Sequence, residues 1–136
     1  MEIADMLKQT PLLAEMSDAH IGELAPSTRL ETYRPGHIIL REGHAGGAFF
    51  LILSGKVEVV KGSLDAEPEV IATLGAGDFF GEVAIMKHMS RSASVRAVEE
   101  TKCLVIRRLD LDFFIEQYPV IAAKMATAHS AKFGGE

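Results

Sequence analysis

The chain has 136 residues, 48 % of them apolar and 24 % charged, with a formal net charge of −5 at neutral pH. One globular domain of this length buries roughly 65–70 % of its unfolded surface, and the composition excludes a disordered segment. The acidic balance argues against a generic nucleic-acid or anionic-membrane surface, although a local positive pocket for a small anion remains compatible with it.

Residues 2–25 read as helical. Ile3, Met6 and Leu7 share a face, Pro11 interrupts, and Ser17 or Asp18 caps a second helix through Ile21, Leu24 and Ala25 that Pro26 ends. From 28 to 109 short strands alternate with turns. Leu30–Tyr33 runs into Arg34-Pro35-Gly36, His37–Arg41 into Glu42-Gly43, and Phe49–Leu53 into Ser54-Gly55. Val57 and Val59 alternate with Lys56 and Glu58, Val70–Leu74 stops at Gly75-Ala76-Gly77, and Ser94–Val98 and Cys103–Ile106 close the series. Strands spaced in this way predict an all-β sandwich or barrel rather than βα units. From 110 to 133 the pattern is helical again, with Asp110 as an N-cap, Phe113 and Phe114 as an apolar face, and Pro119 opening a last helix. A single domain over 1–136 is expected: a helical lead-in over 1–26, strands over 28–109 and helices over 110–133.

The chemistry concentrates in Gly75-Ala76-Gly77-Asp78-Phe79-Phe80-Gly81-Glu82-Val83-Ala84-Ile85, followed by Arg91-Ser92-Ala93. A helical turn opening at Gly81 offers free N–H groups to an anion, and a glycine there lets a ligand approach the backbone. Arg91 supplies a forked pair of donors to phosphate oxygens. Glu82 would repel a phosphate, but it suits a sugar hydroxyl, as carboxylates do in other nucleotide sites. The implied ligand carries a ribose hydroxyl close to a singly charged phosphate, which describes a cyclic nucleotide.

Phe80-Gly81-Glu82-Val83-Ala84 with Arg91-Ser92-Ala93 resembles the phosphate-binding cassette of the cyclic-nucleotide-binding domain family. Pro35-Gly36, Gly43 and Phe50-Leu51-Ile52-Leu53-Ser54-Gly55-Lys56-Val57 extend the resemblance to about residues 10–120. It implies a β-roll with N-terminal helices, a short phosphate-binding helix and C-terminal lid helices. It also implies that Gly81, Glu82 and Ala84 give backbone contacts to the phosphate, Arg91 and Ser92 give side-chain contacts, and Glu82 takes the ribose. Val83, Val70 and Ile71 would pack on the ring faces, and Lys132, with Phe133, would reach the base from the lid. Adenine is the default base in the family, and a hydroxyl at Ser92 keeps guanine open. The turn around His44 lacks the acidic residue common there.

Other chemistries find little support. Phe80 stands where a dinucleotide fingerprint needs its third glycine, and the histidines at 20, 37, 44, 88 and 129 lack metal spacing. No G-x-S-x-G occurs, and no catalytic arrangement is suggested, so no enzyme and no cofactor beyond the ligand are expected. Lone Cys103 has no disulfide partner and reads as a small buried hydrophobe. No cationic leader and no run near the roughly 18 apolar residues of a membrane helix is present, so a cytoplasmic location is expected. The expected function is a sensor in which cAMP or cGMP shifts the C-terminal helices about a hinge near Leu109–Asp112, acting on an effector domain or a homodimer partner. Rival expectations are a gating piece of a channel, a transcription regulator without its DNA-binding part, and a ligand-free interaction domain.

Overall fold

The computed structural model describes residues 2–41, 48–62, 67–81 and 93–133. The short apolar runs fold there as β1 Thr28–Tyr33, β2 Ile38–Leu40, β3 Ala48–Ser54, β4 Lys56–Lys61, β5 Glu69–Gly75, β6 Phe79–Phe80, β7 Ser94–Ala97 and β8 Thr101–Arg107. They form two antiparallel sheets, ordered β1-β8-β3-β6 and β2-β7-β4-β5. Four helices flank them: α1 Ile3–Gln9, α2 Asp18–Leu24, α3 Arg108–Gln117 and α4 Pro119–Phe133. This is the expected mainly-β roll with flanking helices.

The period of two along a strand explains how the layers stack. On β3, Phe49 and Leu51 face one way and join α1, α2, α3 and α4 in an outer core, while Phe50 and Ile52 face the second sheet. On β8, Leu104 and Ile106 join the same outer core, while Cys103 and Val105 join the inner one. Both faces of these two strands are covered along residues 49–52 and 103–106, and there the sequence is apolar without interruption. The second sheet is covered on one face: Val57, Val59, Leu74 and Val95 point into the inner core. Glu58 and Arg96, which alternate with them, pair across the strands at 3.0 Å on the other face.

Local signals explain the ends of the elements. The Ser17 hydroxyl caps α2 by accepting from the His20 N–H at 3.2 Å, and Pro26 lies in the 3-10 turn Ala25–Ser27 that ends it. Between β1 and β2, Pro35 and Gly36 occupy the centre of a turn closed by the His37 N–H donating to the Arg34 carbonyl. Gly36 has φ +88°, which the third position of a type II turn requires. Between β5 and β6, the Asp78 carboxylate accepts from the Gly75 N–H at 2.9 Å, and Gly77 has φ +92°.

The C-terminal region departs from the sequence expectation in four ways. First, α3 begins at Arg108, with Arg107 as its N-cap residue, so the strands end at 107 rather than 109. Asp110 lies in the first turn and accepts from Arg107 Nε at 2.8 Å, a position where a carboxylate also meets the positive end of the helix dipole. Second, Phe114 is buried but Phe113 is 63 % exposed, because neighbours on a helix point about 100° apart and only one of them meets the core. Third, α3 runs unbroken through 109–112, so the bend falls at Tyr118 (φ −129°, ψ 74°) between α3 and α4, not at the expected hinge. Fourth, α4 does not lie over the inner core. Its Ile121 and Met125 pack with Leu7, Leu12, Leu13 and Ile21 on the outer side. Tyr118 donates to Glu23 at 3.0 Å and Lys124 bridges Glu15 at 3.0 Å, fastening the same arrangement.

Candidate functional site

The inner core has fully buried members at its centre and a partly buried rim. Tyr33, Ile39, Leu40, Ala48, Ile71, Ala72 and Ala93 are only partly buried against it. Three of these are alanines. Burial pushes the Tyr33 hydroxyl at this rim up to about 12, and burial likewise pushes the thiol of Cys103, inside the core, up to about 12. Neither is ionised at neutral pH, and Cys103 is therefore a poor nucleophile. A surface of this kind suits the flat faces of a ring system, and the residues expected to hold an anion belong to the chain between β6 and β7.

That chain is residues 82–92. Glu82, Val83, Ala84, Arg91 and Ser92 fall within it, outside the described residues, but both of its anchors are defined. On the upstream side it leaves the first sheet from Gly81, directly after β6; downstream it joins the second sheet through Ala93, directly before β7. The two anchors belong to different sheets, so the segment must pass from one to the other.

Gly81 is required by the fold itself. Its φ is +88°, and a Cβ there would stand 2.7 Å from the Ala48 carbonyl oxygen and 3.2 Å from Phe50 Cδ1. The sequence argument assigned this glycine to ligand approach; the packing against β3 is a reason it did not contain. Of the three expected ring-packing residues, Val83 lies outside the described residues, Ile71 lies against the inner core, and Val70 beside it is 45 % exposed. The register shift between Val59 and Val60, where β4 meets β5, falls at this point of the strand. Lys132 lies in the last turn of α4, its side chain outside the described ones.

Sequence reasoning missed the rim residues Tyr33, Ile39, Leu40, Ala72 and Ala93. Apolar character marks each of them as a core candidate, but it does not tell a core centre from a rim. Arg96, near Arg91 in sequence, is engaged by Glu58 on the opposite face of its sheet. A separate cavity of about 340 Å³ lies between the α1–α2 connection, the β5–β6 turn and α4, lined by Pro11, Leu12, Gly77, Phe79, Lys124 and Ala128. Among the described residues, no group of His, Cys, Asp or Glu is placed to hold a metal ion, and no helix is long and apolar enough to cross a membrane.

Residues 30–118 match the family model described as the cyclic nucleotide-binding domain. The chain is 38 % identical over 96 residues to the cAMP-dependent protein kinase regulatory subunit of Yarrowia lipolytica, covering 71 % of this chain and 25 % of that protein. It is 36 % identical over 107 residues to the cGMP-dependent protein kinase, isozyme 1, of Drosophila melanogaster, covering 76 % of this chain and 14 % of that one. Among solved structures, the catabolite activator protein of Thermus thermophilus superposes with a TM-score of 0.73 at 30 % identity, over 90 % of this chain and 57 % of that one. The chain thus spans between 14 % and 57 % of the length of these three proteins.

Proposed function

The chain belongs to the cyclic nucleotide-binding domain family, and from that premise we propose that it is a sensor binding cAMP, with cGMP as the second ligand, at the rim of its inner core. The observation that carries this is the crossing at Gly81: the backbone that leaves the first sheet there leads straight into Glu82, and the same crossing delivers Arg91 before the second sheet begins. The Arg91 guanidinium donates a fork of hydrogen bonds to the cyclic phosphate, joined by backbone N–H groups of Gly81, Glu82 and Ala84 and by the Ser92 hydroxyl. The Glu82 carboxylate accepts from the ribose 2′-OH. Ile71 and Val83 pack on the ring faces; Val70, being exposed on β5, is assigned a lesser part.

The kinase relatives carry cAMP and cGMP in their names, which supports testing both bases. Calorimetric titration with cAMP, cGMP and 5′-AMP decides the matter. Micromolar or tighter binding of a cyclic compound, with little of 5′-AMP, is the expected outcome; no heat and no thermal shift with any of the three overturns the proposal. Arg91→Ala should weaken binding by about 2–4 kcal/mol, since a charge-assisted fork is lost; unchanged affinity removes Arg91 from the site.

Ligand binding shifts the population of α3 and α4, pivoting at Arg107 and Tyr118, where the backbone leaves helical geometry. Ile121 and Met125, now packed on the N-terminal helices, report the shift. Their methyl resonances should move on saturation with the nucleotide. Identical spectra with and without it exclude the coupling.

A further inference from the structure

We infer that Phe50, on β3, is a positioning residue for the nucleotide: its ring sets the direction in which the chain leaves the first sheet toward Glu82 and Arg91. The inference rests on the site proposed above. It begins from how little backbone holds β6, which is two residues long and pairs with β3 only through Phe50↔Phe80 and Leu51↔Phe79. A strand this short is fixed largely by its side chains. Phe80 is 4 % exposed and stacks on Phe50 with ring centroids 4.7 Å apart and planes 6° from parallel. Phe79 points the other way and meets Phe49 at 5.5 Å and 41°. The next residue, Gly81, lies beside β3, where a Cβ would stand 2.7 Å from the Ala48 carbonyl oxygen and 3.2 Å from Phe50 Cδ1. One ring therefore stacks on the last residue of β6 and borders the space at the first residue of the crossing. Groups that orient a site from behind in this way affect affinity without touching the ligand.

Phe49 supplies the control. It adjoins Phe50 on the same strand, is as fully buried, and also packs on a phenylalanine of β6, but it belongs to the outer core with the helices. Phe49→Leu and Phe50→Leu each remove one ring, so a purely structural role predicts similar losses of stability and no difference in binding. The test measures urea unfolding and calorimetric titration with cAMP and cGMP on wild type and both variants, at a temperature where all are folded. Phe50→Leu should raise Kd by about tenfold or more while Phe49→Leu stays within about twofold of wild type. Phe50→Met, which fills the space without a ring, should behave as Phe50→Leu and serves if the leucine variant does not fold. Wild-type affinity in the Phe50 variants, or an equal loss in Phe49→Leu, overturns the inference while leaving the nucleotide site standing. A wild type that binds neither cyclic compound instead removes the site itself, and the positioning role with it.

Discussion

β3 and β4 are consecutive strands joined through Gly55, yet they live in different surroundings. On β3, Phe49, Phe50, Leu51 and Ile52 are all within 5 % of complete burial, because helices cover one face of the first sheet and the second sheet covers the other. On β4, Val57 and Val59 are buried while Lys56 and Glu58 are not, because among the described residues no helix packs on the outer face of the second sheet. A continuous apolar run thus marks a strand between two layers, and alternation, kept on β4 from Lys56 to Val59, marks a strand at the edge of the stack. The difference also divides the labour. The first sheet anchors the helices, and the rim where it parts from the second sheet carries the candidate site.

Substitutions on the two sheets sharpen that contrast. Leu104→Ala, on the helix-facing side of β8, should cost about 3–4 kcal/mol by urea unfolding, from lost burial and the cavity left behind. A cost under about 1 kcal/mol would mean that the helical layer is not packed as described. The glycines of two turns come next. At Gly55, φ is +98° and a Cβ would fall 2.4 Å from the Glu100 carbonyl oxygen, so Gly55→Ala should destabilise by about 2–3 kcal/mol. Gly36 has a similar φ of +88° but nothing within 4 Å, so Gly36→Ala should cost only the conformational penalty, about 1 kcal/mol. Equal effects at the two positions would show that backbone conformation, not crowding, sets the cost. Glu58→Gln is the smallest change. The Glu58–Arg96 pair is about one-third exposed, and its loss should lower stability by about 0.5 kcal/mol, shrinking further in high salt. A loss of 2 kcal/mol or more, insensitive to salt, would mean that the outer face of the second sheet is covered in solution.

Most strands were legible because their turn chemistry is local. Pro35-Gly36, Ser54-Gly55 and Gly75-Ala76-Gly77 each mark a place where the chain must reverse, and a strand ends at or just before each of them. β6 was not legible: two residues are too few for any periodicity, and it exists only because β3 lies beside it. The α3 start was read two residues late because Asp110 serves there as a first-turn carboxylate and not as the cap. Of the candidate site, the cassette residues are an expectation drawn from residue types, spacing and the family resemblance, while the partly buried set of Tyr33, Ile39, Leu40 and Ala93 gathers residues far apart in the chain and required the paired sheets to bring them together.

Local chemistry in the sequence, then, determined the turns and the Ser17 cap of α2, because each depends on a few neighbouring side chains. Tertiary structure alone decided which of Phe113 and Phe114 is buried, which face of β3 meets which core, and that α4 docks on the N-terminal helices. The reason is physical: those outcomes depend on which apolar surfaces are available to cover one another, and that availability arises only when distant segments have folded together.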